Sequence, residues 1–189
     1  TIQRELLRSH PKVNFRLNYR RSDQVYDDVI LGAADLGLVA YPQLRAGVDI
    51  VPFREDKLTV ILPPGHPLAS KAKVTMAALA ACPFIGFDRE APSRKGIDKL
   101  FRDKGIELQT TMEMDNVETI KRAVELGLGV AILPSPTVQQ EATSGMLITK
   151  ALAEGVFTRP IGILVRKGKY LSRAAQAVLD AFKKHEVEE

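Results

Sequence analysis

Three short stretches carry side chains that could hold a small polar or charged molecule. They are Arg21-Ser22, the run from Asp88 to Ser93-Arg94, and Asp115-Asn116. Each stands where an apolar run gives way to a helical pattern, and two of the three contain an arginine. That is the chemistry of anion recognition. The first backbone N–H groups of a helix have no partner within it and favour negative charge. A guanidinium adds a planar fork that grips carboxylate or phosphate through two bonds, so Arg21 and Arg94 point to such a ligand. The same residues are also what an ordinary helix start requires, because a Ser or Asn side chain satisfies one of those N–H groups. Both readings stand at this point.

Catalytic chemistry finds less support. His10 precedes a proline, His66 sits in a Pro-Gly-His-Pro turn and His185 lies near the end, none within a recognisable partner pattern. Cys82, the single cysteine, precedes Pro83 and reads as a small semi-buried thiol. No nucleophile elbow, zincin helix, phosphate-binding glycine loop or zinc-spaced Cys/His set is present. Gly127-Leu-Gly129 stands between a helix and a strand, the reverse of the order a dinucleotide loop needs. The chain therefore reads as a binding module and not an enzyme, with no cofactor and no metal.

The elements that must position these residues alternate. Ile2, Leu6 and Leu7 share a helical face, and Val13, Phe15, Leu17 and Tyr19 alternate with polar residues as a strand does. Ser22 reads as the cap of a helix with Val25, Tyr26, Val29 and Ile30 inward and Gly32 at its stop. Strands follow at 35–39 and 58–62, then the breaker Pro63-Pro64-Gly65-His66-Pro67. Thr75 caps a short alanine-rich helix, 84–87 is a strand, and Ser93 caps a helix carrying Ile97, Leu100 and Phe101. Leu108, Thr110, Met112 and Met114 share one strand face. Asn116 opens a helix with Ile120, Ala123 and Val124, and 130–134 is a further strand. Ile161 to Val165 is the last strand, and Ser172 caps a final helix. Strands alternating with helices predict an α/β fold with largely parallel sheets, whose ligands lie beyond the carboxyl ends of the strands. The prolines near Pro63 and the stretch 149–160 are the expected passages between two subdomains.

Composition sets the bounds. With 189 residues, 45% hydrophobic and 26% charged, the chain can bury a real core. No apolar run approaches the ~20 residues that span a bilayer, and no export signal is visible. One cysteine allows no intrachain disulfide, which suits a reducing cytoplasm. The net charge of +4 is modest and its basic residues are scattered, unlike a domain that holds DNA by itself.

Strung together, five stretches resemble the effector-binding domain of LysR-type transcription regulators. They are HPKVNFRLNYRRSDQVYDDVILGAADLGLV (10–39), DKLTVILPPGHPLA (56–69), FIGFDREAPSRKGIDKLF (84–101), MDNVETIKRAVELGLGVAILP (114–134) and the strand-helix end at 160–182. The resemblance implies two Rossmann-like α/β subdomains with a cleft between them, like a type 2 periplasmic binding protein. It sets subdomain I at 1–63 plus 157–189 and subdomain II at 64–156. It implies a small effector, which Arg21 and Arg94 suggest is anionic, and marks Arg21, Ser22, Asp88, Ser93, Arg94, Asn116, Thr119 and Pro134 as cleft residues. It also implies a homodimer or tetramer, with residues 13–19 as a candidate interface. DNA would be contacted only through an N-terminal winged helix-turn-helix that lies outside this sequence, as does the first strand of subdomain I. A transporter's solute-binding protein is the runner-up on the same fold; an enzyme on a similar two-lobed fold would need a catalytic set that is not found.

Overall fold

The computed structural model describes residues 15–186, and the side chains of those up to Lys184. Within them the chain forms eight strands and six α-helices. In order these are α1 (Ser22–Leu31), β1 (Leu36–Ala40), β2 (Val48–Leu62), β3 (Lys73–Val74), α2 (Met76–Ala80), β4 (Phe84–Phe87), α3 (Pro92–Arg102), β5 (Thr110–Met114), α4 (Val117–Glu125), β6 (Ala131–Pro134), α5 (Gln139–Ser144), β7 (Ile148–Leu152), β8 (Thr158–Arg166) and α6 (Arg173–Glu186). They divide into two compact units, Thr1–Arg54 with Pro160–Glu189, and Glu55–Arg159. The chain thus passes from one unit to the other inside the long strands β2 and β8. The limits expected at 63/64 and 156/157 lie further into the second unit, because Pro63 follows a continuous 15-residue strand and does not interrupt it.

In the first unit, alternation on β8 sends neighbouring residues to opposite faces. Leu164 joins Tyr26, Val29, Val39 and Val48 beneath α1. Ile163 joins Phe53 and Leu179 beneath α6, where Phe53 meets Phe182 edge-on with ring centroids 5.1 Å apart. β1 pairs antiparallel with β8, from Leu36–Val165 to Ala40–Ile161. Gly37 lets α1 approach, since a Cβ there would stand 2.5 Å from Val25 Cγ1.

In the second unit, β6 and β7 flank β2 antiparallel, and β3 pairs with β7 in parallel. The parallel pair β4–β5 meets Val130, the residue before β6, in a parallel bridge with Phe84, and Ile85 N donates to Val130 O at 2.8 Å. One sheet face sends Val60, Leu62, Phe84 and Ile132 against Leu79, Ile97 and Phe101. The other sends Ile61, Ile85, Phe87, Ala131 and Leu133 against Ile120 and Val124. Covered on both faces, FIGF and AILP are buried throughout, as their unbroken apolar runs suggest. Each Phe, Ile or Leu side chain among them contributes about 1.5–3 kcal/mol by leaving water.

Three expectations need correction. The sheets are mixed, with antiparallel β1–β8, β2–β6 and β2–β7 beside the parallel pairs, so "largely parallel" overstates them. Residues 15–20 form no strand: Leu17 is 62% and Tyr19 97% exposed, and no described strand pairs with them. Alternation of apolar residues makes a strand only when a neighbour supplies the ladder. Finally, neither Ser22 nor Ser93 is a cap. Arg21 is the N-cap of α1, its N–H bonded to Gln24 Oε1 at 3.3 Å, and Ala91 is the N-cap of α3 with Pro92 first in the helix. Pro is pre-set for that first position and has no N–H to satisfy, so this helix begins two residues earlier than its serine suggests. Ile2, Leu6, Leu7, His10 and Val13 lie outside the described residues.

Candidate functional site

The second unit gathers most of the candidate residues at one edge. β4 and β5 run in parallel, with Phe87 opposite Met114, so their exits lie side by side and Asp88 N donates to Met114 O at 2.9 Å. Val130 bridges to β4 in parallel just before β6, and β6 ends at buried Pro134, which pairs with Leu58. Two helix starts therefore follow from neighbouring strand ends, α3 after β4 and α4 after β5.

Asn116 caps α4 as expected. Its Oδ1 accepts from Thr119 N at 2.9 Å, while its Nδ2 donates to Asp115 Oδ1 at 2.7 Å. Thr119 Oγ1 turns back to Asn116 O at 2.9 Å. Pro134 O accepts from Thr137 Oγ1 at 2.7 Å and ends the strand in a short 3-10 turn. Half-buried Asp88 accepts Ala91 N at its carbonyl, closing the loop that leads into α3.

Arg94 does not reach this edge as a free cation. Its side chain is 7% exposed; Nε donates to Asp98 at 2.9 and 3.0 Å, and Nη1 donates to Phe87 O at 3.0 Å and Glu113 Oε1 at 3.1 Å. Burial pulls its pKa down, but the hydrogen bonds to Asp98 and Glu113 outweigh that and hold it above the usual value. The guanidinium is engaged in tying α3 to β4 and β5. Ser93, second in α3, instead accepts from Arg159 Nη1 at 3.3 Å, and Arg159 also donates to Asp56 Oδ2 from Nη2 at 2.9 Å and Nε at 3.3 Å.

Arg21 and Ser22 belong to the first unit, at the start of α1. Arg21 is 64% exposed, and its nearest carboxylate, Asp23, stands 3.8 Å away. That pair is too open and too long to hold the guanidinium firmly.

Asp56 and Arg159 were missed by reading the sequence. They lie 103 residues apart, and a charge opening an apolar run, like an arginine before a proline, gives no periodic signal. The sequence puts Ile97, Leu100 and Phe101 on the inward face of α3 and Arg94 in the cleft; in the structure Arg94 is instead buried with Ile97 and Phe101, at offsets of three and seven residues that a 3.6-residue period brings to one face.

Other groups are poorly suited to chemistry. His66 Nδ1 accepts from Leu68 N at 3.2 Å as a turn cap. Cys82 donates to Ala78 O at 3.4 Å, and burial pushes its thiol up, away from reactive thiolate. Among the described residues no group of three His, Cys, Asp or Glu could hold a metal, and no helix is long and apolar enough to cross a membrane. A groove of about 350 Å³ lies towards the other end of α3, lined by Asp98, Arg102, Gly105, Ile106, Glu107 and Leu108, and includes no strand exit.

The architecture and the five ordered stretches point the same way as a family match. The LysR substrate binding domain model covers residues 1–186. The chain belongs to the LysR substrate-binding domain family. Among curated relatives, the HTH-type transcriptional regulator SsuR of Burkholderia cenocepacia is 30% identical over 93% of this chain and 57% of its own length. The chain spans about half the length of the curated relatives it matches. Among solved structures, the CcmR regulatory domain of Synechocystis PCC6803 in complex with 2-PG superposes with a TM-score of 0.87 at 24% identity, over 98% of this chain and 89% of that one. The effector-binding domain of QuiR in complex with shikimate gives 0.88 at 19% identity, over 100% and 90%. These neighbours show the fold, an α/β arrangement of the type 2 periplasmic-binding-protein kind.

Proposed function

We propose that this chain is the effector-sensing domain of a LysR-type transcription regulator. It takes a small metabolite bearing carboxylate or phosphate and passes occupancy to a winged helix-turn-helix elsewhere in the full-length protein. The observation that carries the reading is the pairing of strand exits in the second unit, where Asp88 N bonds Met114 O and two helix starts open beside each other within a LysR-family chain. Helix starts at strand exits are where α/β sheets take anions. Ser93, Asn116, Thr119, Asp88 and Pro134 line that edge as candidate contacts. Arg21, exposed at the start of α1, is a candidate anion contact in the first unit. CcmR with 2-PG and QuiR with shikimate support a small effector. Relatives named as transcriptional regulators favour a regulator over a transporter's solute-binding protein. They equally favour a sensor over an enzyme.

A thermal-shift screen of small carboxylates, phosphates and their neutral analogues tests the reading. At least one anion should raise the melting temperature in a saturable way, confirmed by calorimetric titration; a panel in which none does sinks it. The isolated chain, with its +4 charge dispersed, should not bind duplex DNA selectively. The resemblance also supports a homodimer or tetramer working in the cytoplasm, and a monomer in sedimentation at high micromolar concentration would count against that assembly.

A further inference from the structure

Two guanidinium groups of the second unit are largely withdrawn from water, and they serve different ends. Arg94 is occupied by three partners of its own neighbourhood. Arg159 joins a buried carboxylate to the first turn of α3. Asp56, 3% exposed, receives Nε and Nη2, which fixes the guanidinium plane and aims Nη1 at Ser93 Oγ. The Arg159 side chain is itself 15% exposed. A hydroxyl that accepts from a cation has one lone pair engaged and its O–H polarised as a donor. Asp56 holds the Nε and Nη2 side of the guanidinium, which leaves Nη1 to give the serine hydroxyl its direction.

We propose that Arg159, held by Asp56, is a positioning residue for the effector site: it sets Ser93 as a hydrogen-bond donor, so that the first turn of α3 selects an acceptor oxygen of carboxylate, phosphate or carbonyl type over a donor group. This rests on the reading of the chain as an effector sensor. Arg159 acts through Ser93, not by touching the effector.

The test is an NMR titration of the 189-residue chain with inorganic phosphate as the acceptor probe and methylammonium as the donor probe, followed at the backbone amides of Ser93 and Arg94. Phosphate should move both in a saturable way and methylammonium neither. Ser93→Ala should weaken phosphate about ten-fold, the loss expected for a hydrogen bond to a charged group, and Ser93→Thr should restore most of it. Arg159→Lys should weaken phosphate several-fold in the parent chain and not further in the Ser93→Ala background, because its effect runs through that hydroxyl. An Arg159→Lys effect of equal size in both backgrounds, unchanged affinity in Ser93→Ala, methylammonium binding at the same amides, or phosphate that leaves them unmoved overturns the proposal. Should Arg159→Lys fail to fold, Arg159→Gln takes its place in both backgrounds with the same supporting and overturning results. A metabolite that stabilises the chain while the Ser93 amide stays still overturns this inference and leaves the sensor reading standing. A panel in which nothing stabilises the chain removes both.

Discussion

Two helix starts pair an arginine with a serine, and their surroundings are opposite. At α1 the order is Arg21-Ser22, and the guanidinium lies in solvent with only a loose, exposed carboxylate nearby. At α3 the order is Ser93-Arg94, and the guanidinium is buried among Asp98, Glu113 and the carbonyl of Phe87. The helix itself explains part of this. Position 94 shares its face with Ile97 and Phe101, so it turns towards the sheet, and Asp98 one turn on meets it there. The rest comes from far along the chain, since β5 brings Glu113 alongside β4. An arginine beside a helix start becomes a ligand group or a structural tie according to what the fold carries to it.

The largest expected effect tests that difference directly. Arg94→Ala would leave Asp98, Glu113 and the Phe87 carbonyl short of a partner. Because the two carboxylates are about a third exposed and can recover some hydration, the cost should be about 2–4 kcal/mol and not more. Arg21→Ala should stay within about 0.5 kcal/mol. Urea denaturation of both variants checks it; equal losses would erase the distinction.

Acid sharpens the contrast between buried and open ion pairs. Lys121 donates to Glu141 Oε1 at 2.7 Å, and both side chains are nearly buried. That hydrogen bond holds Glu141 below the usual glutamate range, against the opposing effect of burial. A carboxyl whose folded pKa is depressed contributes stability above its unfolded pKa and loses it as pH falls through the folded one. Stability should therefore fall from the ordinary glutamate range downward, and Glu141→Gln should flatten that acid limb. Asp27→Asn, which breaks the exposed 3.3 Å pair with Arg45, should leave the limb unchanged. Identical slopes in all three proteins would mean that the Lys121–Glu141 pair adds nothing.

How far the sequence reveals the molecule follows from the same physics. FIGF, AILP and the caps Thr75, Asn116 and Ser172 are written in local patterns, and the structure has them where those patterns put them. β3, β7 and α5 escaped notice because two to six residues hold too few periods to read. The strand expected at 13–19 failed over its described part because pairing depends on a neighbour and not on alternation alone. At the site, Ser93 was found for the wrong reason: Pro92 starts the helix, and what meets the serine is Arg159, whose placement depends on β8 returning after 103 residues. Local signals locate helix starts. They do not tell which distant side chain will meet them.

An intermediate effect concerns the open arginine. If the effector is anionic and Arg21 contacts it, Arg21→Ala should weaken it about ten-fold, since a charged hydrogen bond is worth about 1.5–3 kcal/mol, while the melting temperature barely moves. Calorimetric titration showing unchanged affinity would remove Arg21 from the site and leave both arginines without a ligand role.

The smallest effect separates the two helix starts of the second unit by their caps. Asn116 satisfies Thr119 N with its side chain, so Asn116→Ala should cost about 1 kcal/mol, roughly 2–4 °C in a chain of this size. Ser93 gives its helix no cap. Its hydroxyl accepts one 3.3 Å bond from an arginine that keeps Asp56 as an anchor, so Ser93→Ala should cost less than Asn116→Ala. Both variants lie in the same unit, so scanning calorimetry compares them under one transition. A Ser93→Ala loss as large as that of Asn116→Ala would show that the serine carries the start of α3, and that its place at the strand exit is a matter of folding before it is one of binding.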